Sequence, residues 1–246
     1  MTAGATHKSR HPVRRLKKQE LAALEAVGHH FSAGWQLDEE PPGIWLAMGQ
    51  ERIAIEITTM KHRIAGGAEI AQPRLRFDRV ALRLVEQLRI ALRDSVPRGR
   101  AVVVTITAPI RQAAKTAAML EERIARGLAH HPAALEIKET MHGNQTRVRV
   151  LKTGASGASC VIGFVHNPQT NADVLFDMTR SLIDSIAATM ALDDPAAGDR
   201  WLVLLNRDGP AHIGTYRDVY SQLRIPNKFG KILMVFAAGR VETLSP

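Results

Sequence analysis

The residue whose type and place are most open to chemistry is Glu56. It lies in Arg52-Ile53-Ala54-Ile55-Glu56-Ile57-Thr58, where strict alternation puts Ile53, Ile55 and Ile57 on one face of a strand and Ala54, Glu56 and Thr58 on the other. A carboxylate on a half-buried face is a candidate ligand for a hard cation, though an acid on a polar strand face is also ordinary. Other chemistries find less support. The adjacent pairs His29-His30 and His130-His131 point in different directions on a helix, so neither forms a natural metal clamp. Gly154-Ala-Ser-Gly157 lacks the spacing of a nucleophile elbow, which makes Ser156 a turn residue. Cys160 is the only cysteine and sits in an apolar run, as a small buried residue does. No phosphate-binding loop, dinucleotide fingerprint or His-Glu-x-x-His motif occurs.

Positive charge is unevenly placed. Lys8, Arg10, Arg14, Arg15, Lys17 and Lys18 precede the first acid, Glu20, and supply six of the nine net positive charges. Such an arm neutralises phosphates without reading sequence, or serves as a solubilising tail. Further along, Arg76, Arg79, Arg83, Arg89 and Arg93 recur on one side of an amphipathic pattern. They form a solvated helix face or a surface that tracks a phosphate backbone. Aromatic content of 4% argues against a base-stacking platform. Nucleic acid is the expected partner, with Arg14, Arg15, Lys17, Lys18, Arg79 and Arg83 as the contact residues.

The elements that position these residues follow from periodicity. Residues 1–12 read as a disordered basic arm and 13–246 as one domain. A helix is expected from Val13 to Phe31, then a hairpin of Ile44–Met48 and Arg52–Thr58 across Gly49-Gln50. A helix over 75–95 carries an apolar stripe of Phe77, Val80, Leu84, Leu88 and Leu92. Arg100–Thr107 reads as a buried strand and Ile110–Leu128 as a helix. Strands at Thr146–Leu151 and Ser159–His166 precede a helix over Asn171–Met190. A strand at Trp201–Asn206, a helix over His212–Leu223 and paired strands at Lys231–Phe236 and Arg240–Leu244 complete the order. The alternation predicts an α/β fold with a central mixed sheet flanked by helices. A lone cysteine and the lack of a long apolar run point to a cytoplasmic protein with no membrane span.

Pro41-Pro42-Gly43-Ile44-Trp45, followed by Ile53 to Thr58, resembles the hairpin of the PD-(D/E)XK nuclease-like superfamily. A bacterial group there has a Pro-Pro-Asp step, a turn, and a strand in which a hydrophobic-flanked Glu precedes Thr. The resemblance implies a restriction-endonuclease-like fold and a Mg²⁺-dependent nuclease in which Glu56 is the catalytic acid and a metal ligand. It also implies a second ligand from the first helix (Glu20 or Glu25) or from the turn Asp38-Glu39-Glu40. Gly43 stands where the pattern has Asp, and Thr58 where the standard lysine falls, so Lys61 is the candidate to orient water. The alternative is a non-catalytic descendant of the fold that binds nucleic acid or a partner protein.

Overall fold

The computed structural model describes residues 16–38, 43–63, 79–153, 159–190, 199–207, 212–223 and 228–245. The elements run α1 (Lys18–Phe31), β1 (Gly34–Leu37), β2 (Ile44–Met48), β3 (Glu51–Thr59), α2 (Arg79–Ala91), β4 (Arg100–Thr107), α3 (Ala113–His130), β5 (Glu136–Met141), β6 (Asn144–Lys152), β7 (Cys160–His166), α4 (Ala172–Met190), β8 (Arg200–Asn206), α5 (Ile213–Gln222), β9 (Lys231–Phe236) and β10 (Val241–Ser245). The chain is α/β, with a mixed sheet as expected, but it builds two sheets. One is ordered β1-β2-β3-β8-β9-β10 and the other β5-β6-β4-β7. In the first, β3, β8 and β9 are parallel and the outer strands antiparallel. In the second, only β4 and β7 are parallel.

Side-chain alternation sorts the core into layers. Ile53, Ile55 and Ile57 share a cluster with Trp201, Val203, Leu233 and the α1 residues Leu24 and Val27. The opposite face offers Met60, Leu202, Leu204, Ile232 and Met234 to α4 and α5, which also pack on Val103, Ile162 and Phe164 of the second sheet. The remaining face of that sheet, with Val102, Val104, Val148 and Val161, is covered by α2 and α3. The layers therefore run α1, first sheet, α4 with α5, second sheet, α2 with α3. A helix between two sheets is buried on most of its sides. On α4 the residues Leu175, Phe176, Met178, Leu182, Ile183 and Ile186 are each at most 2% exposed, and the polar Asp177, Thr179, Ser181 and Ser185 are buried beside them.

Several expectations shift in detail. The strands β1 and β5 lie outside the expected order: β1 is short and mostly exposed, and β5 is mostly exposed up to the buried Met141, so neither carries a clean apolar alternation. α3 begins at Ala113 rather than beside Pro109. On α2 the buried stripe is Ala81, Leu84, Val85 and Leu88, whereas Val80 is 46% exposed. Val85 packs against Gly163 on β7, where a Cβ would overlap the valine methyls. Among the described residues, no helix is long and apolar enough to cross a membrane. Residues 1–15, with Arg14 and Arg15, the turn 39–42 with Glu40, the loop and helix start at 64–78, and Ser156 lie outside the described residues.

Candidate functional site

Glu56 projects from β3 toward the α4 and α5 layer, since its neighbours Ile55 and Ile57 belong to the face covered by α1. Its side chain is 9% exposed, and Arg200 Nε on β8 lies 4.0 Å from its Oε2. The β2–β3 register pairs Trp45 with Ala54, and two residues further along it sets Gly43 level with Glu56. Gly43 has φ +80°, a left-handed conformation that glycine adopts without strain. On its other side the Asp38 N–H donates to the Gly43 carbonyl at 3.0 Å.

Asp38 and Glu56 thus flank Gly43 on one face of the sheet. Two strand spacings separate their backbones, about 10 Å. No side chain rises between them from Gly43. The Asp38 carboxylate lies 3.8 Å from Arg52 Nη2, and the Arg52 guanidinium stacks 4.7 Å above the Trp45 ring. The Trp45 Nε1 is buried without a hydrogen-bond partner among the described residues. The arrangement holds an acid–arginine pair on each side of Gly43.

The other sequence candidates are scattered. Glu20 sits on α1, which covers the opposite face of the first sheet, so the sheet separates it from Glu56. Its Oε2 instead accepts the Lys17 N–H at 2.8 Å, tying the Glu20 side chain back to the helix start. Glu25 is exposed on the same helix. Lys61 is exposed and lies five residues beyond Glu56, roughly 17 Å along an extended chain. That separation exceeds a lysine's reach, and the nearest described cation to Glu56 is Arg200. Lys17, Lys18, Arg79 and Arg83 are exposed. Neither Arg79 nor Arg83 makes an ion pair among the described residues.

Sequence reading missed a buried polar cluster at the carboxyl ends of β3 and β8. His62 Nδ1 lies 3.4 Å from Asp177 Oδ2, and its Nε2 is 3.0 Å from Asn206 Oδ1. The Arg63 N–H donates to both Asp177 oxygens, at 3.1 and 3.0 Å. Burial pushes the Tyr216 phenol above its ordinary value; the Asn206 side chain opposes this and the Asp177 charge reinforces it. The carboxyl ends of parallel strands are where open α/β sheets place polar groups. The only sequence signal was a polar run, Lys61-His62-Arg63, directly after the alternating strand. Asp177 and Asn206 lie more than 100 positions away from it, and nothing in the sequence pairs them.

Mg²⁺ takes hard oxygen donors, often carboxylates completed by water. Glu56 and Asp38 supply that chemistry on one face, so the donor type fits. Among the described residues no three acidic, histidine or cysteine side chains converge, so the donor set there is a pair. Compared with protein-family models, with curated proteins and with solved structures, the chain finds no match in any of the three.

Proposed function

We propose that this chain is a nuclease-like protein that acts on nucleic-acid phosphodiesters through a divalent cation held by Glu56 and Asp38. The observation that supports it is the register: the two carboxylates flank Gly43 on one sheet face, so Asp38 can take the role of the acid that the hairpin pattern places at 43. A bound Mg²⁺ would supply charge stabilisation at the phosphoryl group and a more acidic water. Arg52 and Arg200, each beside one carboxylate, would meet phosphate oxygens. The exposed Arg79 and Arg83 and the basic residues Lys17 and Lys18 would hold the backbone elsewhere.

A second reading is a non-catalytic nucleic-acid-binding descendant of the same fold. The buried Glu56–Arg200 pair favours it, because a guanidinium already neutralises the carboxylate. One experiment separates the two. Mn²⁺ binding is measured by calorimetry on the full chain and on Glu56→Gln, beside cleavage of single- and double-stranded DNA and RNA. Glu56-dependent Mn²⁺ binding with cleavage supports the first reading. Salt-sensitive nucleic-acid binding with neither metal binding nor cleavage supports the second.

A further inference from the structure

The second sheet carries a polar patch on its inner face, apart from Glu56 and its neighbours. Cross-strand pairing sets Lys138 of β5, Arg147 of β6 and Thr105 of β4 in one row. In the next row, Thr107 of β4 pairs with His166 of β7. A cavity of about 540 Å³ opens over these rows and is closed by the start of α4. It lies at the carboxyl ends of β4 and β7, the parallel strands of this sheet.

The lining is chemically prepared. His166 is 4% exposed, and its Nδ1 lies 2.9 Å from the Asn167 carbonyl oxygen. A carbonyl only accepts, so Nδ1 carries the proton and Nε2 keeps a lone pair. Burial holds the imidazole below its ordinary pKa and so favours this neutral form, against the weaker opposing effect of the Asn167 carbonyl. Thr105 is 1% exposed as a residue and lines the cavity. A hydroxyl there can donate a hydrogen bond to an anion. Arg147 is committed to Asp173 at 3.0 Å and to Glu136 at 3.3 Å. Arg149 is paired with the same two acids, so these four charges balance. Glu139, also in the lining, is paired with Arg123 at 3.5 Å, whereas Lys138 makes no ion pair among the described residues and so adds a positive charge to the patch.

We propose that this pocket binds a small anion, a carboxylate or a phosphate monoester. Lys138 and the Thr105 hydroxyl hold the anionic group, and a ligand hydroxyl donates to His166 Nε2. The inference is independent of the reading of Glu56, because the two places share no residue.

The test uses the ¹⁵N-labelled full chain and nuclear magnetic resonance. Inorganic phosphate is titrated in one arm and acetate in another, with sodium chloride holding ionic strength constant. The expected result is a saturable shift of the His166 ring nitrogens and the Thr105 amide. The apparent Kd should rise at least fivefold in Lys138→Gln, an exposed site, and in Thr105→Val. The arm that saturates at lower concentration names the anion class. A shift that grows linearly without saturation overturns the proposal. So does an equal response in Lys138→Gln, or an imidazole found protonated at Nε2 rather than Nδ1.

Discussion

Glu56 and Arg200 stand on neighbouring parallel strands with Oε2 and Nε 4.0 Å apart, their side chains 9% and 14% exposed. Removing one member of a buried pair leaves the other charge poorly solvated, which costs about 3 kcal/mol or more. Glu56→Gln preserves volume and deletes only the charge, so its loss of stability in urea unfolding reads that cost. Combining it with Arg200→Met should restore much of the loss. A single substitution within about 0.5 kcal/mol of wild type would mean that Glu56 is not held by its arginine.

The exposed arginines of α2 make a separate prediction. Each phosphate neutralised contributes about one unit to the slope of log affinity against log salt. Arg79→Ala and Arg83→Ala should therefore each lower that slope by about one unit in anisotropy titrations with duplex DNA. They should leave the thermal midpoint unchanged, because both side chains are exposed. An unchanged slope in both variants would remove α2 from the nucleic-acid surface.

Asp177, itself 8% exposed, accepts the Arg63 N–H twice and faces His62. Asp177→Ala strands those donors, at about 2 kcal/mol or more. The measurement is the urea midpoint, with backbone amide exchange at Arg63 as the local readout. Protection at Arg63 that survives the substitution would show that the carboxylate is not its acceptor.

How much of this was legible in the sequence depended on the range of the interaction. Local period did well: Arg100–Thr107 and Lys231–Phe236 have the expected bounds, because buried strands read as apolar runs. The Ile53, Ile55, Ile57 face was readable for the same reason. The division into two sheets was not, since it depends on α4 being buried on most of its sides, polar residues included, and so able to separate them. An alternating pattern shows which residues share a face but not which layer that face meets. Glu20 illustrates this, being a plausible partner in sequence yet on the wrong side of the sheet. The Asp38–Gly43–Glu56 alignment was half legible. The hairpin set Gly43 opposite Glu56, but β1, which brings Asp38 alongside, is too short and exposed to announce itself.

Gly163 tests the packing of α2 on the second sheet. Its missing side chain lets Val85 settle on the strand, and an added Cβ would overlap both valine methyls. Gly163→Ala should lose about 1–3 kcal/mol through overpacking. Val85→Ala in the same chain should recover part of it by making room. Full additivity of the two losses would show that the contact is not what glycine serves here.

His166 gives the pH dependence its sign. Burial depresses its folded pKa below the ordinary 6.5, with the Asn167 carbonyl opposing. Above pH 6.5 the imidazole is neutral in both folded and unfolded chains, and its contribution to stability is fully present. As pH falls through 6.5 the unfolded chain gains a proton that the folded chain still refuses, so stability is lost toward the folded pKa. The slope can reach roughly 1.4 kcal/mol per pH unit for one proton. Arginine hydrogen bonds hold the Asp173 and Glu136 carboxyls below their ordinary values, so their own losses come at more acidic pH. Urea unfolding from pH 7.5 to 5 should show the His166 slope in wild type and a flatter profile in His166→Gln. Identical profiles for the two chains would mean that His166 is protonated as readily inside the fold as outside it.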